Sequence, residues 1–501
     1  VRIARGEMRQ GDKLTVVIGD RSQGGPGFRL PSTSNDAMRF KLWVSLQNPA
    51  ELFVLPELPF YSVGGATTGV RGFAPSIVTP DEPITLSVRS EDSFRNRATS
   101  GYPVYGIFEG ERKIGDVTDR DHAVHLVTGV RLKGAGPHYL TIRSADGTIE
   151  GAFNPILVED NPAERIYWGE THGHSGFAEG SGTVDGFFNF AREDARLDFM
   201  TLSEHDLWMD DYEWEMLRKA VIRDNRPGEF ITFLGYEWTV LNAAGGHHNI
   251  LFRTPEGRRR APNQEAPTLP QLYPLLKARH RVEDLIVIPH AHNPGQWWVS
   301  DSEAERLVEI TSNHGTFEWL GRAYLANGFR LGFIGGSDDH IGHPGIRPLN
   351  KGGYGSDNFG GLAAVMAGEK SRDAIFDALR DKRTYATNGA RIILKSTVNA
   401  VTGGRAIAVA PVTAVKGRVI GTGPIDSIAL IKNGDVIAKI DYLEPERHNE
   451  ELLEVRLFSE SDPLQRGAQS RGWRVWRGTL KVAGATLKGV RTPAGENIYR
   501  E

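Results

Sequence analysis

Between Tyr167 and His340 the chain sets down six groups of residues able to bind metal ions. They are Glu170-Thr-His172-Gly-His174-Ser175, Glu204-His205-Asp206, Tyr236-Glu237-Trp238, His247-His248-Asn249, His290-Ala-His292-Asn293 and Asp338-Asp339-His340. Almost every group follows a short apolar run. Of the 15 histidines in the 501-residue chain, 11 lie between His172 and His343, about a third of its length. Imidazole and carboxylate donors gathered this way suit Zn, Mn or Fe. The absence of cysteine removes thiolate ligands, thiolate nucleophiles and disulfides together. The layout is that of a polynuclear metal site assembled at strand ends, and therefore of a metal-dependent enzyme.

His172 and His174 are two residues apart and share one side of a strand end. Glu237 closes the run Ile231-Thr-Phe-Leu-Gly-Tyr, where a carboxylate can bridge two metals. His205 and His290 also end apolar runs; satisfied core histidines are the competing explanation for both. His248 joins the set with its neighbour His247 competing for the same role, and His290 is preferred to His292. Asp338 and His340 leave a Gly-rich strand end toward one point, with Asp339 facing away. The expected ligands are thus His172, His174, His205, Glu237, His248, His290, Asp338 and His340. Catalysis would add Asp206, His314 or His343 as a proton donor and Arg192 or Arg347 as an anion clamp. Trp168, Trp208, Trp238, Trp297 and Trp298 stand within a few residues of these ligands. An aromatic rim would suit an aryl or sugar group, with ordinary packing as the alternative.

The elements that must position these residues fall into three regions, as the length of the chain requires. Residues 1–162 alternate apolar and polar positions in short runs separated by Gly and Pro turns, the pattern of an antiparallel β-sandwich. Residues 163–390 alternate bulky apolar runs with helical segments over Asp185–Leu197, Asp210–Asn225, Leu269–His280, Phe317–Ala326 and Arg372–Asp381. Strand, loop and helix in repetition imply an α/β unit with a parallel sheet, open or closed into a barrel. Residues 391–501 return to short strands in a small β domain, with Asn433-Gly434 as a hairpin turn.

A net charge of −4 makes no electrostatic case for nucleic acid or an anionic membrane, and no apolar run reaches eighteen residues. The expected partner is a small-molecule substrate, and the oligomeric state is open. The chain starts at Val1 without an initiator Met and without a signal-peptide pattern. The expectation is a soluble protein of a bacterial cytoplasm or periplasm, with an upstream piece removed or left out.

His172-x-His174-Ser175, Glu204-His205, Glu237, His248, His290 and Asp338-x-His340 resemble the ordered ligand motifs of the polymerase-and-histidinol-phosphatase (PHP) superfamily. The stretches Tyr167–Ser175, Ala191–Phe199 and Ser203–Asp206 further resemble an uncharacterised PHP-like bacterial family, over about residues 165–390. The resemblance implies a distorted (β/α)7 barrel, here flanked by the N-terminal β-sandwich and the small C-terminal β domain. It also implies two or three divalent metal ions (Mn, Zn or Fe) and phosphoester hydrolysis, of a mono- or diester, by a metal-bridging hydroxide. Two departures stand out. Ser203-Glu204-His205 replaces the usual Thr-Asp-His, and Phe177-Ala-Glu179-Gly-Ser replaces an Asp-rich stretch, which makes Glu179 a candidate extra ligand. Two alternatives are hydrolysis of a carbon-centred bond, as in amidohydrolases, and a non-catalytic glycan-binding protein with structural metals.

Overall fold

The computed structural model describes residues 58–290, 293, 295–346 and 360–442, with shorter stretches before residue 58 and after residue 478. Its architecture is mixed α/β and rich in sheet. The centre is a seven-stranded sheet curved into half a barrel. Its strands are β1 (Arg165–Glu170), β2 (Phe199–Leu202), β3 (Ile231–Thr239), β4 (His247–Phe252) and β5 (Leu285–Pro289), joined by two later ones. Two further strands, β6 (Leu307–Ser312) and β7 (Gly332–Gly335), pair in parallel beside it. The late strands β8 (Leu362–Ala367) and β9 (Thr384–Thr387) complete the large sheet, in the order β5-β4-β3-β2-β1-β8-β9.

Single parallel bridges tie the two sheets together. Val287 and His290 at β5 bridge to Glu305 and Glu309 at β6, and Gly173 past β1 bridges to Asp339 past β7.

The helices fall where the apolar periodicity puts them. They are α1 (Val184–Asn189), α2 (Asp211–Asp224), α3 (Leu269–Arg279), α4 (Glu318–Ala326) and α5 (Arg372–Arg380). Thr183 caps α1 by accepting from Gly186 N, and Asp210 with Glu213 forms a reciprocal capping box on α2. A π-helical turn, Phe190–Asp194, extends α1 over much of the helix expected to reach Leu197.

The expectation of a parallel sheet is corrected in part. β1, β2 and β3 are parallel, but β4 runs antiparallel to both β3 and β5, and β8 antiparallel to β1 and β9. The connection from β3 to β4 is too short for a crossover helix, holding only the single 3-10 turn Asn242–Ala244, so a hairpin forms instead.

Two apolar layers sandwich the curved sheet. Trp168, Met200, Leu234, Trp238, Ile250 and Val287 pack outward against the helices. On the opposite face Phe199, Ile231, Phe233, Leu251, Ile286 and Ile288 form an inner cluster that α5 joins through Ile375 and Phe376. Each such side chain stabilises the fold by about 1.5–3 kcal/mol through burial.

Ahead of this unit, antiparallel sheets built on Ile84–Glu91 and on Leu140–Ser144 share a core of Val70, Leu86, Val88, Ile107 and Ile142. After it, strands Ile393–Val398 and Val415–Ile420 pair, and an exposed hairpin, Ser427–Lys432 with Asp435–Asp441, turns at Asn433-Gly434. Both turn residues have positive φ (55° and 91°), as a two-residue hairpin loop requires. Among the described residues, no helix is long and apolar enough to cross a membrane.

Candidate metal centre

Four strand ends converge on the Glu237 carboxylate. Period-two geometry on β3 turns Tyr236 and Trp238 outward into the apolar layer and leaves Glu237 inward with Thr239. One carboxylate oxygen, Oε2, lies 2.9 Å from His172 Nε2 and 3.0 Å from His174 Nε2. The other, Oε1, lies 3.1 Å from His290 Nε2, 3.3 Å from His205 Nδ1 and 2.5 Å from His247 Nδ1. Asp338 repeats the arrangement. Its Oδ1 is 3.3 and 3.2 Å from His172 and His174, and its Oδ2 is 3.1 Å from His314 Nε2. Several trios within this cluster bring their donor atoms within 4.8 Å of one another, including His172-His174-Asp338, His172-Glu237-His290 and His205-Glu237-His247.

Backbone bonds lace the supporting loops. Asp338 N donates to His172 O (3.0 Å) and His174 N to Asp339 O (2.8 Å). Glu170 accepts from the backbone N–H of both His172 (3.0 Å) and Ser337 (2.7 Å), joining the ends of β1 and β7. Glu204, next to His205, accepts from Ser175 N (2.9 Å) and from its hydroxyl, so it braces the histidine loop rather than facing the centre. Glycine is required twice. A Cβ on Gly336 would lie 2.3 Å from Glu309 and 2.8 Å from the His172 side chain, and a Cβ on Gly295 would lie 1.2 Å from Gly245 O. The second approach locks the β3–β4 loop against the segment beyond His290.

Electrostatics divide the histidines in two. Burial opposes charge on His174, yet Asp338 and Glu237 outweigh it and push its pKa up to about 10. His172 is likewise raised, against burial, by Asp338 and Glu309. Burial prevails at His205 and His290, which fall to about 4 and about 3. Glu237 is held well below the usual carboxylate range: burial resists, but His205, His290, His247 and His172 surround it. A buried carboxylate ringed by imidazoles, with no thiolate in the chain, is a donor set that fits divalent cations such as Zn, Mn or Fe.

Seven of the eight expected ligands meet here: His172, His174, His205, Glu237, His290, Asp338 and His340. The eighth, His248, does not. It stands on the outer face of β4, fully buried, against Trp238 and 3.4 Å from Glu305, while its neighbour His247 faces Glu237. Alternation along the strand allows only one of the two inside.

Of the other catalytic candidates, His314 reaches the centre. Asp206 does not, because its carboxylate accepts Thr239 N (3.0 Å) and Asn263 N (2.5 Å), and burial raises its pKa to about 7. His343 is buried against Phe190 and bonds Ser34 O at 2.7 Å, away from the cluster. Arg192 is consumed by Glu193, Asp224 and Asn189. His292 and Arg347 lie outside the described residues.

Glu179 takes up the position expected of an extra donor, 2.9 Å from His340 Nε2 and 3.4 Å from His205 Nε2, and those bonds hold its pKa low. Glu309 went unrecognised in the sequence; it bonds His172 Nδ1 at 3.0 Å and so fixes that ring. Its signal was an acid inside the apolar run Leu307-Val-Glu-Ile.

The aromatic rim narrows to Trp208, half-exposed and edge-on to His205 at 4.9 Å. Trp168 and Trp238 are core residues that donate to Ser76 Oγ and Ala266 O, and Trp297 packs on Trp319.

Comparison with known proteins gives similarity without a name for the activity. A family model described as "Protein of unknown function (DUF3604)" matches residues 183–314 and 349–401. The first span carries His205, Glu237, His247, His290 and His314. An uncharacterized protein of Chlamydia muridarum (strain MoPn / Nigg) is 23% identical over 488 residues, covering 86% of this chain and 75% of its own. An uncharacterized protein of Chlamydia trachomatis serovar D is also 23% identical, over 491 residues, with the same coverage. Among solved structures, one titled "Structure of PhoD" aligns with 37% of this chain and 42% of its own at 14% identity and a TM-score of 0.17, which bears on neither fold nor function.

Proposed function

We propose that the protein is a metal-dependent hydrolase of phosphoesters, built on a distorted (β/α)7 barrel of the PHP type. The observation that carries this reading is the division of the Glu237 carboxylate. Each oxygen faces its own set of imidazoles, His172 and His174 on one side and His205, His247 and His290 on the other. That division supports reading Glu237 as a carboxylate that two cations could share. The barrel reading is supported by the bridges from β5 to β6 and from the end of β7 to the end of β1, which let strands β1 to β7 be followed round a ring.

In this reading His172, His174, Asp338 and Glu237 would hold one ion, and His205, His247 and His290, with Glu237, would hold another. Divalent cations held there would supply an acidified water and positive charge to offset what develops on the non-bridging phosphoryl oxygens. The chain's own residues do the rest. Glu309 keeps His172 in one tautomer and orientation. Glu170 and Glu204 hold the His172–Ser175 loop rigid. The inner apolar cluster excludes water from beneath, which strengthens every charge interaction in the centre. Trp208 offers a flat face at the mouth for an aryl or sugar leaving group.

The test is elemental analysis of wild type and Glu237→Gln, with aryl phosphate, phosphodiester and aryl ester assays on the same samples. Two or more ions per chain and phosphoester turnover, both lost in Glu237→Gln, would support the proposal. Turnover of the ester alone would redirect it to carbon-centred hydrolysis. A protein that stays metal-free after reconstitution would end it.

A further inference from the structure

We propose that Arg71, Arg95 and Arg391 form a binding site for a small tetrahedral oxyanion such as phosphate, in a cavity apart from the metal centre. The site does not depend on the hydrolase reading. The cavity, about 230 Å3, lies where three stretches of the chain meet. Strand Gly69–Phe73 and the turn after strand Ile84–Glu91 bring Arg71 and Arg95, the loop after His343 brings Gly345 and Ile346, and the segment after β9 brings Arg391. None of the lining residues is a donor of the metal centre.

Arg391 is the residue that points to an anion. It is only 8% exposed, yet it lines the cavity. Its Nη2 donates to Ala195 O at 2.6 Å and to Arg196 O at 3.0 Å, and its guanidinium lies 4.7 Å from the centre of the Phe73 ring. Two carbonyl dipoles and an aromatic face offset part of a buried charge. They do not neutralise it. Among the described residues no carboxylate lies within ion-pair distance of this guanidinium. Burial, aided by Arg196 and Arg71 against the pull of Asp198, pushes its pKa down to about 10, so it keeps its proton at neutral pH. A buried charge without a counter-charge is costly, and buried charges are ordinarily paired.

The neighbouring acids are already shared. Glu91 Oε1 is 2.9 Å from Arg71 Nε and 2.6 Å from Arg89 Nη1, while Asp194 bonds Arg89 at 3.0 Å and Arg97 as well. Two carboxylates thus serve three arginines before Arg95 and Arg391 are counted. Burial and the nearby Arg71 both lower the pKa of Arg95, with Glu91 opposing them. The backbone of Arg95 is fixed in the left-handed region (φ 68°) by a turn in which Arg95 N donates to Asp92 O and Asp92 N to Asn96 O. An excess of positive charge around one cavity suits a polyvalent anion. Guanidinium forks match carboxylates and phosphates alike. Donors arriving from three separate elements fit the spread oxygens of a tetrahedral ion better than the single plane of a carboxylate. The volume, below the roughly 300–1,000 Å3 of sites for drug-sized ligands, keeps the occupant small.

The test is calorimetric titration of the full chain with inorganic phosphate at low chloride, with sulfate and malonate as comparisons. Repeating it in Glu237→Gln separates phosphate held in this cavity from phosphate drawn to metal ions. Arg391→Gln, Arg95→Gln and Arg71→Gln are measured in both backgrounds, and circular dichroism checks the fold of each. The expected result is one phosphate or sulfate per chain in both backgrounds, bound about tenfold or more weaker once Arg391 or Arg95 is replaced. Phosphate should also raise the melting temperature of the proteins that bind it. Arg391 holds two carbonyls besides, so if Arg391→Gln does not fold, Arg95→Gln and Arg71→Gln decide the matter. Unchanged affinity in every folded arginine variant would overturn the site. So would binding that vanishes in Glu237→Gln, a preference for malonate, or no saturable binding of either tetrahedral ion.

Discussion

His247 and His248 are adjacent in the chain and opposite in the structure, so replacing each by alanine gives a paired test. His247 Nδ1 is 2.5 Å from Glu237 Oε1 on the inner face of β4. Removing it deletes a donor at a partly exposed position and opens no core cavity. His247→Ala should weaken metal binding by about 10–100-fold or more, since even indirect partners of metal ligands contribute that much. The fold itself should be little changed. His248 has no exposed surface, packs on Trp238 at 5.7 Å and sits 3.4 Å from the buried Glu305. His248→Ala leaves a cavity and takes a neighbour from a buried carboxylate, a loss of about 2–4 kcal/mol. For a unit of this size that is a fall of roughly 5–15 °C in melting temperature, with metal content retained at low temperature. Calorimetric unfolding of the stripped proteins and isothermal titration with Mn2+ or Zn2+ read the two effects separately. If His248→Ala abolishes metal binding while His247→Ala leaves it intact, the register of β4 is off by one residue and the reasoning fails.

Glu309→Gln should lower metal affinity or activity by about 10–100-fold without unfolding the protein, because it replaces the charged acceptor that orients His172 with a neutral amide; equilibrium dialysis checks it. Metal affinity should rise with pH. With its pKa at about 10, His174 stabilises the metal-free fold fully below its ordinary value near 6.5, and that contribution is lost as pH rises through about 10. A metal must displace that proton, whereas His205 and His290, depressed to about 4 and about 3, have none to give at neutral pH. Titrations in buffers of different ionisation enthalpy should therefore report proton release at pH 7–8, traceable to the His172–His174 side. Asp206→Asn should keep its metals. Burial raises the Asp206 carboxyl to about 7, so the stability it gives below about 4 is lost as pH rises through about 7. The variant should flatten that stretch of the stability–pH curve, measured by urea unfolding at several pH values.

Much of the centre was legible because metal donors at strand ends are few and apolar runs mark the strands. The five helices follow their apolar spacing to within a residue or two, apart from the first, whose later turns wind as a π-helix. What the sequence could not give was facing. His247 and His248 differ only in parity, and parity depends on where β4 starts after a loop containing Gly245 and Gly246, both at positive φ. Asp206, His343 and Arg192 have the right chemistry at the right distance in sequence, but neighbouring loops use their bonding capacity. Whether a polar side chain serves a site or a loop is decided by backbone N–H groups that no pattern of residue types reveals. The antiparallel β4 is hidden for another reason: His247–Phe252 begins with polar residues and so does not stand out as an apolar run, and its connection to β3 is shorter than a crossover needs.

The far side of the Asp338–His340 loop is fastened by residues from near the start of the chain. Ser34 O accepts from His343 Nε2 at 2.7 Å, Asn35 Nδ2 donates to Ile341 O and to Ser181 Oγ at 3.0 Å, and Asp36 accepts from Thr183 N at 2.9 Å. Asn96, inside the leading β region, in turn accepts from Ser34 N at 2.8 Å. The wall of the centre is thus built from two regions far apart in sequence, and the boundary near residue 162 is one of chain order more than of mechanics. A fragment beginning there would retain nearly every donor discussed above yet leave two of their loops without an outer brace. Natural variation in the leading region can accordingly retune how firmly the outermost donors are held, with no change to any donor residue.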